Sequence, residues 1–211
     1  MAEGRFITFE GGEGAGKSTQ VRLLEQDLRA AGCTVVVTRE PGGSFGAEAI
    51  RALLVSGEVN RWDPWTEALL HSAARRDHLL RTVWPALEKG AWVLCDRFLD
   101  STMAYQGYGH GLDPRGIEQL VCLVMGSFRP HLTLILDLPV EEGLRRAAGR
   151  GGGEDRYERM GLDFHRRLRQ GFLEIARLED RRCVVVDATR PADAVQAEVA
   201  RLVRLRLGQP S

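Results

Sequence analysis

Residues 11–18 carry the clearest signal for chemistry, because their sequence GGEGAGKS fits the phosphate-binding pattern G-x-x-x-x-G-K-[ST]. Glycines let backbone N–H groups turn towards a phosphate without a Cβ in the way. The Lys17 ammonium can reach the outer phosphates of a nucleoside triphosphate, and the Ser18 hydroxyl can ligate Mg²⁺. The segment therefore predicts a bound nucleoside triphosphate, but it does not say which group receives a phosphate.

This loop needs a strand before it and a helix after it, and the flanking sequence predicts both. Arg5–Glu10 is expected to form a short buried strand. Residues 19–31 are expected to form a helix whose apolar positions include Val21, Leu24 and Leu28. The positive end of that helix dipole would then face the phosphate.

Strand and helix patterns alternate along the rest of the chain. Three of the five predicted strands are nearly unbroken apolar runs, which is typical of a parallel sheet covered on both faces. The predicted fold is therefore α/β, a three-layer P-loop NTPase fold with a five-stranded parallel sheet flanked by helices. The other predicted strands cover 34–38, Trp92–Asp96, Leu132–Asp137 and Cys183–Asp187, and the other predicted helices cover 45–55, 66–88, 115–125, Val140–Ala148, 163–178 and 192–206.

Charged residues follow the predicted strands at the edge where open α/β sheets bind their ligands. They are Glu10, Arg39, Asp96, Arg97, Asp137 and Asp187. Asp96 is expected to be the acidic partner of a Mg²⁺ ion on Ser18, and the planar guanidinium of Arg97 suits a phosphate. An ordinary surface ion pair is the competing interpretation of the Asp96–Arg97 dipeptide.

Two further segments carry side chains that suit a base and a sugar. His71, Arg75 and His78 lie near one face of a predicted helix, although their spacing alone favours a solvated polar face. Residues 100–107 combine small hydroxyls, an aromatic ring and an amide, a composition that is also ordinary for a junction between a loop and a helix. The candidates there are Ser101, Thr102, Tyr105 and Gln106.

Residues 149–156 are rich in glycine and charge, and they lie between two predicted helices. The segment is too short to link two domains, so we expect a mobile lid at about 149–158 within a single domain spanning 1–211. Arg150 and Arg156 would let such a lid neutralise charge during phosphoryl transfer. A solvated charged loop is the alternative.

Composition excludes several other classes of protein. The 29 basic and 29 acidic residues cancel, which argues against a broad surface for nucleic acid or membrane. No apolar run reaches the roughly 18 residues of a membrane span, and no signal peptide is visible. The four cysteines lack C-x-x-C spacing, so we expect reduced thiols in the cytoplasm and no zinc site.

Taken together, the motifs resemble the thymidylate kinase family, in its bacterial form, from Phe6 to about Arg206. The bacterial form is indicated by an acid (Glu13) and no arginine in the P-loop, with the arginines in the lid. The motifs that carry the resemblance are FEGGEGAGKS at 9–18, TREPGG at 38–43, SAAR at 72–75, DRF at 96–98, STMAYQG at 101–107 and DRYE at 155–158. The resemblance implies that the γ-phosphoryl group of ATP is transferred to dTMP, with Mg²⁺, giving dTDP for dTTP biosynthesis.

The resemblance also implies a role for each matching residue on the ATP side. The ATP phosphates are expected to bind Gly11, Gly12, Glu13, Gly14, Ala15, Gly16, Lys17, Ser18 and Thr19. Ser18 and Asp96 would serve Mg²⁺, directly or through water. Arg150 and Arg156 would close over the transferring phosphoryl group, and a loop with Asp187, Ala188 and Arg190 would flank adenine.

On the acceptor side, Arg39 and Arg97 are implied to grip the dTMP phosphate and Arg75 to hydrogen-bond the thymine edge. Glu13 would lie near the sugar and the metal, and Tyr105 would pack under the deoxyribose. The remaining expected contacts are Glu10, Ser101, Thr102 and Gln106. The resemblance further implies a homodimer through apolar helix faces, with Ala68, Leu69 and residues 120–125 as candidates.

One position departs from the family pattern, and two other functions compete. The family usually has an aromatic residue, most often Phe, stacked on thymine where this chain has His71, so either His71 stacks or another residue does. Another kinase of the same fold, such as a deoxynucleoside kinase or a differently selective monophosphate kinase, is the nearest rival. A P-loop ATPase or nucleotide switch is the rival of another class, but it leaves Arg39, Arg75 and Arg97 without a role.

Overall fold

Five parallel strands form the centre of the molecule in a computed structural model that describes residues 4–148 and 156–209. The strands are β1 (Arg5–Glu10), β2 (Val35–Arg39), β3 (Trp92–Asp96), β4 (Leu132–Asp137) and β5 (Cys183–Asp187). Their spatial order is β2-β3-β1-β4-β5, so the strand before the P-loop lies at the centre. The five-stranded parallel sheet flanked by helices confirms the predicted fold.

Helices cover both faces of this sheet and fill the crossovers between its parallel strands. On one side, the buried residues of α1 and α9 pack with strand residues in one core, which contains Leu24, Leu134 and Val199. The bounds of the helices are α1 (Lys17–Ala30), α2 (Phe45–Leu54), α3 (Pro64–His78), α4 (Trp84–Glu88), α5 (Leu99–Thr102), α6 (Pro114–Met125), α7 (Val140–Ala148), α8 (Leu162–Leu178) and α9 (Ala192–Leu207).

The helix predicted over 66–88 is not uniform. Helix α3 passes into a π-helical turn at Leu79–Val83 and then into α4. No helix is predicted for residues 99–109, but they form α5 followed by a π-helical segment at Met103–Gly109. A π-helical turn shifts the side chains that follow it around the helix axis, and such turns are frequent at functional sites. Periodicity of 3.6 residues cannot predict them.

Apolar side chains from the central strands and the helices account for the burial. Phe6, Phe9 and Leu94 are completely buried. The apolar runs predicted burial on both faces for β2 and β5 as well, but these are the edge strands, and Val37 and Val185 are 43% and 42% exposed. Within residues 4–148 and 156–209, no helix is both long and apolar enough to cross a membrane.

Candidate functional site

The loop at 11–16 turns tightly between β1 and α1. Gly16 is the N-cap of α1 with φ of 91°, and it has no side chain to satisfy the free N–H groups of the first turn. Gly14 has φ of 68°, and a Cβ there would lie 2.0 Å from the carbonyl oxygen of Gly143. The loop therefore presents backbone N–H groups at a helix N-terminus, which is a site for anions.

Lys17 lies beside this loop, where its ammonium can exchange hydrogen bonds to the loop for hydrogen bonds to a phosphate. Its Nζ donates to the carbonyl oxygens of Gly11 at 3.1 Å and Gly12 at 2.8 Å. Burial, together with the neighbouring Arg97 charge, lowers the pKa of Lys17 to about 8, although Asp96 and Glu13 oppose this shift. A phosphate in the loop would supply the negative charge that this buried ammonium needs.

Ser18 and Asp96 provide the oxygen donors that suit Mg²⁺. The Ser18 hydroxyl donates to Asp96 Oδ2 at 2.6 Å, which joins the first turn of α1 to the end of β3. Mg²⁺ binds in proteins through one or two such oxygens, together with substrate phosphates and water. The described parts of the chain hold no group of three or more His, Cys, Asp or Glu side chains that could bind a metal ion by themselves. The donor set fits the ion.

Arg97 reaches the P-loop from the end of β3. Its φ of 68° is unusual for a residue with a side chain. Nη1 donates to the Gly11 carbonyl at 2.9 Å and to Ser101 Oγ at 3.2 Å, while Nη2 donates to Glu13 Oε1 at 3.0 Å. The guanidinium also lies 5.0 Å from the centroid of the Tyr105 ring. This fork is therefore held at the centre of the site.

Glu13 is the acidic counterpart of these cations. Burial alone would raise the pKa of Glu13, but the charges of Arg97 and Lys17 outweigh it and lower that pKa to about 2. The Tyr105 hydroxyl also donates to Glu13 Oε1. An ionised Glu13 thus links the P-loop to the π-helical segment beside it.

A single cleft of about 240 Å³ collects most of the predicted residues. Its lining contains five cationic side chains and three acidic ones, so the cleft suits more than one anion. The predicted residues in its lining are Glu13, Gly14, Ala15, Gly16, Lys17, Ser18, Arg39, His71, Arg75, Asp96, Arg97, Ser101, Thr102, Tyr105 and Gln106.

Arg39 lies at the open side of this cleft, after β2. Its side chain is 52% exposed and pairs with Glu48 at 3.2 Å, so an incoming anion can replace a solvated partner. Arg51 joins the lining from α2, and its Nη1 donates to the Pro41 carbonyl at 2.7 Å. Both side chains extend the cationic surface away from the P-loop.

Arg75 is fixed at the other end of the cleft and is only 2% exposed. Nε donates to Glu40 Oε2 at 2.8 Å, and Nη2 donates to the Phe98 carbonyl and to Thr102 Oγ1 at 3.1 and 2.9 Å. These bonds occupy one edge of the guanidinium and leave Nη1 for a ligand. The fully buried His78 bonds Glu40 at 2.9 Å, so this face of α3 is not the solvated polar face that spacing favoured.

Aromatic rings line the cleft between Arg97 and Arg75. Tyr105 and Tyr157 meet edge to face at 5.2 Å between centroids. His71 Nε2 lies 2.8 Å from the Tyr157 hydroxyl. Burial lowers the pKa of His71 to about 4, so the ring is neutral at pH 7. His71 and Tyr157 thus offer neutral rings at this end of the cleft on which a base can stack.

Glu10 occupies a different position from the one expected of a substrate contact. It is completely buried beneath the cleft, where Oε1 accepts from the Phe98 N–H at 2.8 Å and Oε2 from the Ser101 hydroxyl at 2.6 Å. Because those donors satisfy the carboxylate, Glu10 orients residues 98–101 and does not face a ligand. Gly11 and Gly12 likewise lie behind the cleft, where their carbonyls hold Lys17 and Arg97.

Arg156 also departs from its expected place over a transferring phosphoryl group. Its side chain is fully buried and pairs with Glu67 at 2.5 Å. Its three nitrogens donate to the carbonyls of Glu58, Leu54 and Val59 at 3.0, 3.2 and 2.8 Å. These acceptors satisfy the guanidinium, so Arg156 anchors the last part of the predicted lid segment to the connection between α2 and α3. Arg150 and the rest of the lid up to residue 155 lie outside the described residues.

The loop expected to flank adenine follows β5 and lies beside α1. Gln20 Nε2 donates to the Ala192 carbonyl at 2.9 Å, which ties the loop's end to α1 just beyond the P-loop. Asp187 Oδ1 accepts from the Thr189 N–H at 2.9 Å, and Arg190 is exposed. Thr19 is exposed in the first turn of α1. A base role for this loop stays a prediction.

Several residues of the site were missed by the sequence reasoning. Arg51 lies between the buried Ala47 and Leu54 at helical spacing, so a charge on an apolar stripe was the available signal. Glu67, which is completely buried on α3, accepts from Gln106 and pairs with Arg156, and no local motif indicates this. Val55 and Tyr157 line the cleft only because of tertiary packing.

Comparison with known proteins agrees with this geometry. The sequence model described as Thymidylate kinase matches residues 9–199. A thymidylate kinase of Caulobacter vibrioides is 60% identical over 208 residues, which cover 99% of this chain and 100% of that protein. A thymidylate kinase of Ruegeria pomeroyi is 50% identical over 206 residues, covering 98% and 97%. The crystal structure of thymidylate kinase from Ehrlichia chaffeensis shares 35% identity at a TM-score of 0.79, covering 95% of this chain and 99% of that one.

Proposed function

The chain belongs to the thymidylate kinase family and is therefore a dTMP kinase, and we propose that its cleft brings the γ-phosphoryl group of ATP against the phosphate of dTMP, giving ADP and dTDP for dTTP synthesis. One observation carries the assignment of this reaction to the cleft. A second cationic site, with Arg97 and Arg39, shares the cleft with the P-loop. A P-loop ATPase has no need of a second phosphate site.

The reaction needs alignment and charge neutralisation more than a general base. The acceptor phosphate of dTMP is already ionised at neutral pH, so one of its oxygens forms the new bond to the γ-phosphorus while the bond to the leaving ADP oxygen breaks. Lys17 and the N–H groups of the loop hold the ATP phosphates, and Arg97 holds the acceptor phosphate next to them. Mg²⁺ on Ser18 and Asp96 supplies further neutralisation of phosphate charge when it is bound.

The base is recognised at the Arg75 end. Arg75 Nη1 donates to the thymine O4, and Gln106 and Thr102 face the same edge. Support comes from the fixed geometry of Arg75, whose other nitrogens bond Glu40, Phe98 and Thr102. His71 or Tyr157 stacks on the ring, and Tyr105, which Arg97 covers at 5.0 Å, packs under the deoxyribose.

Two further assignments concern ATP. Arg150 is the lid residue that we assign to the transferring phosphoryl group, in contrast to the buried Arg156. Asp187, Ala188 and Arg190 flank adenine, an arrangement supported by the bond from Gln20 that ties the end of this loop to α1.

The same chain is proposed to form a homodimer in the cytoplasm. Among the expected interface residues, Ala68, Val121 and Met125 belong to the core, which corrects that part of the expectation. Leu69 on α3 and Leu123 on α6 are 55% and 82% exposed and can form an apolar contact between copies. Support for the cytoplasm comes from the four free cysteines, Cys33, Cys95, Cys122 and Cys183.

A panel of acceptors tests the function directly. Release of ADP is measured with ATP in excess and with each nucleoside monophosphate in turn. We expect the highest kcat/KM with dTMP, a value roughly 10- to 200-fold lower with dUMP because one methyl group separates the two, and far lower values with dCMP and GMP. Equal kcat/KM with dCMP, or ADP release at the full rate without an acceptor, would overturn the proposal.

A further inference from the structure

Glu67 is a buried carboxylate that lies behind the base end of the cleft. It is completely buried on α3, and Arg156 pairs with its Oε2 at 2.5 Å. Its Oε1 accepts from Gln106 Nε2 at 2.7 Å and lies 3.5 Å from His110 Nε2. Burial alone would raise the pKa of Glu67, but His110, His71 and Arg156 lower it to about 2. The side chain is therefore a carboxylate at neutral pH.

An ionised Glu67 decides which way the Gln106 amide points. A carboxylate only accepts hydrogen bonds, whereas the two ends of a glutamine amide differ, with Nε2 donating and Oε1 accepting. Gln106 must therefore turn its Nε2 towards Glu67. The opposite orientation would place two acceptor oxygens against each other in a buried position, which is unfavourable.

The other end of this amide has no partner in the described residues. Gln106 Oε1 is buried and accepts no hydrogen bond, although Gln106 contributes to the lining of the cleft. Unpartnered buried polar atoms are uncommon in folded proteins and call for a ligand or another explanation. Oε1 is thus an acceptor that is oriented in advance and left without a protein partner, on a residue that lines the cleft.

We propose that Glu67 is a positioning residue that makes the site select thymine over cytosine, because it fixes Gln106 with its acceptor towards the base. Thymine carries a hydrogen on N3, which Gln106 Oε1 can accept. Cytosine N3 is itself an acceptor, and its exocyclic amine replaces the O4 that Arg75 addresses. Two donor–acceptor mismatches would then reject cytosine. This inference rests on the proposed function, since it deepens the choice of acceptor.

Arg156 connects this arrangement to the last part of the predicted lid segment. Its guanidinium bonds the carbonyls of Leu54, Glu58 and Val59 and neutralises Glu67. Arg156 therefore holds the Glu67 carboxylate, and Glu67 in turn orients the Gln106 amide that faces the base.

The test measures selectivity separately from catalysis. dTMP and dCMP are titrated calorimetrically, without ATP, into the full-length wild-type protein and Glu67→Gln. The neutral amide at position 67 can donate as well as accept, so Gln106 is free to turn over. We expect the dTMP:dCMP affinity ratio to fall by roughly 10- to 100-fold, with ATP affinity unchanged. An unchanged ratio in folded Glu67→Gln would overturn the proposal.

Two further variants separate selectivity from stability. Arg182→Met breaks another buried ion pair, the one with Asp100 at 2.8 Å, and should keep the dTMP:dCMP ratio while losing stability. The exchange Glu67→Gln with Gln106→Glu conserves charge and always presents an acceptor to the base, so it should restore the preference for dTMP. If Glu67→Gln does not fold, this exchanged variant decides alone, and loss of the preference there contradicts the proposal.

The proposed function and this inference can fail independently. Wild-type protein that releases no ADP with dTMP and ATP contradicts the proposed function, whatever the titrations show. A wild-type kinase whose dTMP:dCMP ratio does not depend on residue 67 contradicts only the role of Glu67.

Discussion

At the phosphate end of the cleft most binding groups come from consecutive residues, 13–18. At the base end they come from α3, the π-helical segment Met103–Gly109 and the turn at 156–158. The phosphate end relies on backbone N–H groups and glycine conformations. The base end relies on side chains that buried carboxylates hold in place, with Glu40 fixing Arg75 and Glu67 fixing Gln106.

This difference follows from what each ligand part presents. A phosphate is a symmetric anion that any suitably placed N–H group can bind, so a short loop is sufficient. A base has a specific edge of donors and acceptors, which requires side chains of fixed orientation and therefore buried partners that keep them fixed. We accordingly expect variants at the two ends to fail in different ways.

The largest effect is expected at the phosphate end. Lys17→Ala removes the ammonium that neutralises the ATP phosphates and should lower kcat by roughly 10³-fold or more. The melting temperature should change little. The substitution removes two hydrogen bonds from Lys17 to loop carbonyls, but it also removes a buried charge whose desolvation is unfavourable, and the two effects oppose each other. Steady-state ADP release and thermal melts provide the measurement. The exposed Lys89→Ala is the control, and an active Lys17→Ala enzyme would refute the P-loop assignment.

The next effect concerns stability at the base end. Arg156→Met leaves the buried carboxylate of Glu67 without its cation and should destabilise the fold by roughly 3–5 kcal/mol. Denaturant unfolding checks this value. Arg166→Met, whose side chain is 57% exposed, should change stability by less than about 1 kcal/mol. If Arg156→Met lost only kcat and kept its stability, the guanidinium would belong over the phosphoryl group after all.

A smaller effect, on the pH dependence of stability, is expected from Glu10, which is buried beneath the cleft and bonds residues 98 and 101. Burial, and then Asp100, raise the pKa of Glu10 from 4.5 to about 7. The folded protein therefore holds this proton more tightly than the unfolded chain, and the resulting stability is present below about pH 4.5 and is lost as the pH rises through about 7. Glu10→Gln lacks this titration.

Thermal melts between pH 4.5 and pH 8 compare the two proteins. Glu10→Gln should gain stability relative to the wild type as pH rises, at up to roughly 1.4 kcal/mol per pH unit near the middle of the range. The exposed Glu88→Gln serves as control. Parallel stability curves for wild type and Glu10→Gln would show that Glu10 is ionised throughout.

The smallest effect is expected for the stacking ring. His71→Phe enlarges the apolar face offered to thymine and should lower KM for dTMP by roughly 2- to 10-fold, with KM for ATP unchanged. Tyr157→Phe removes the same hydrogen bond between the two side chains and keeps the second ring, so it controls for that bond. A KM for dTMP that changes equally in both variants would mean that His71 acts through Tyr157.

The contrast also explains how much the sequence could predict. The five strands and the loop at 11–18 follow from local patterns, so they were predicted nearly to the residue. Arg75 could be placed in the site only by family resemblance, because its helical spacing alone favours a solvated face. Glu67 and Arg156 pair across 89 positions of the chain, and such pairings depend on tertiary packing that no local pattern encodes.

Glu10 shows the remaining difficulty. Its position at the end of β1 correctly placed it near the cleft, but the direction of its side chain depends on the Phe98 N–H and the Ser101 hydroxyl. The π-helical segment that carries Tyr105 and Gln106 was equally invisible to a helix pattern. Position along a strand was thus predictable, whereas orientation was not.

The central claim is that the phosphate end and the base end of the cleft bind their ligands independently. Binding of dTMP to Lys17→Ala tests this claim most directly. Calorimetric titration without ATP gives the dissociation constant of dTMP for the variant and the wild type. We expect the two constants to be nearly equal while kcat of the variant collapses, because Arg75, Gln106 and Arg97 remain in place. A loss of dTMP affinity as large as the loss of kcat would show that the two ends form one indivisible site.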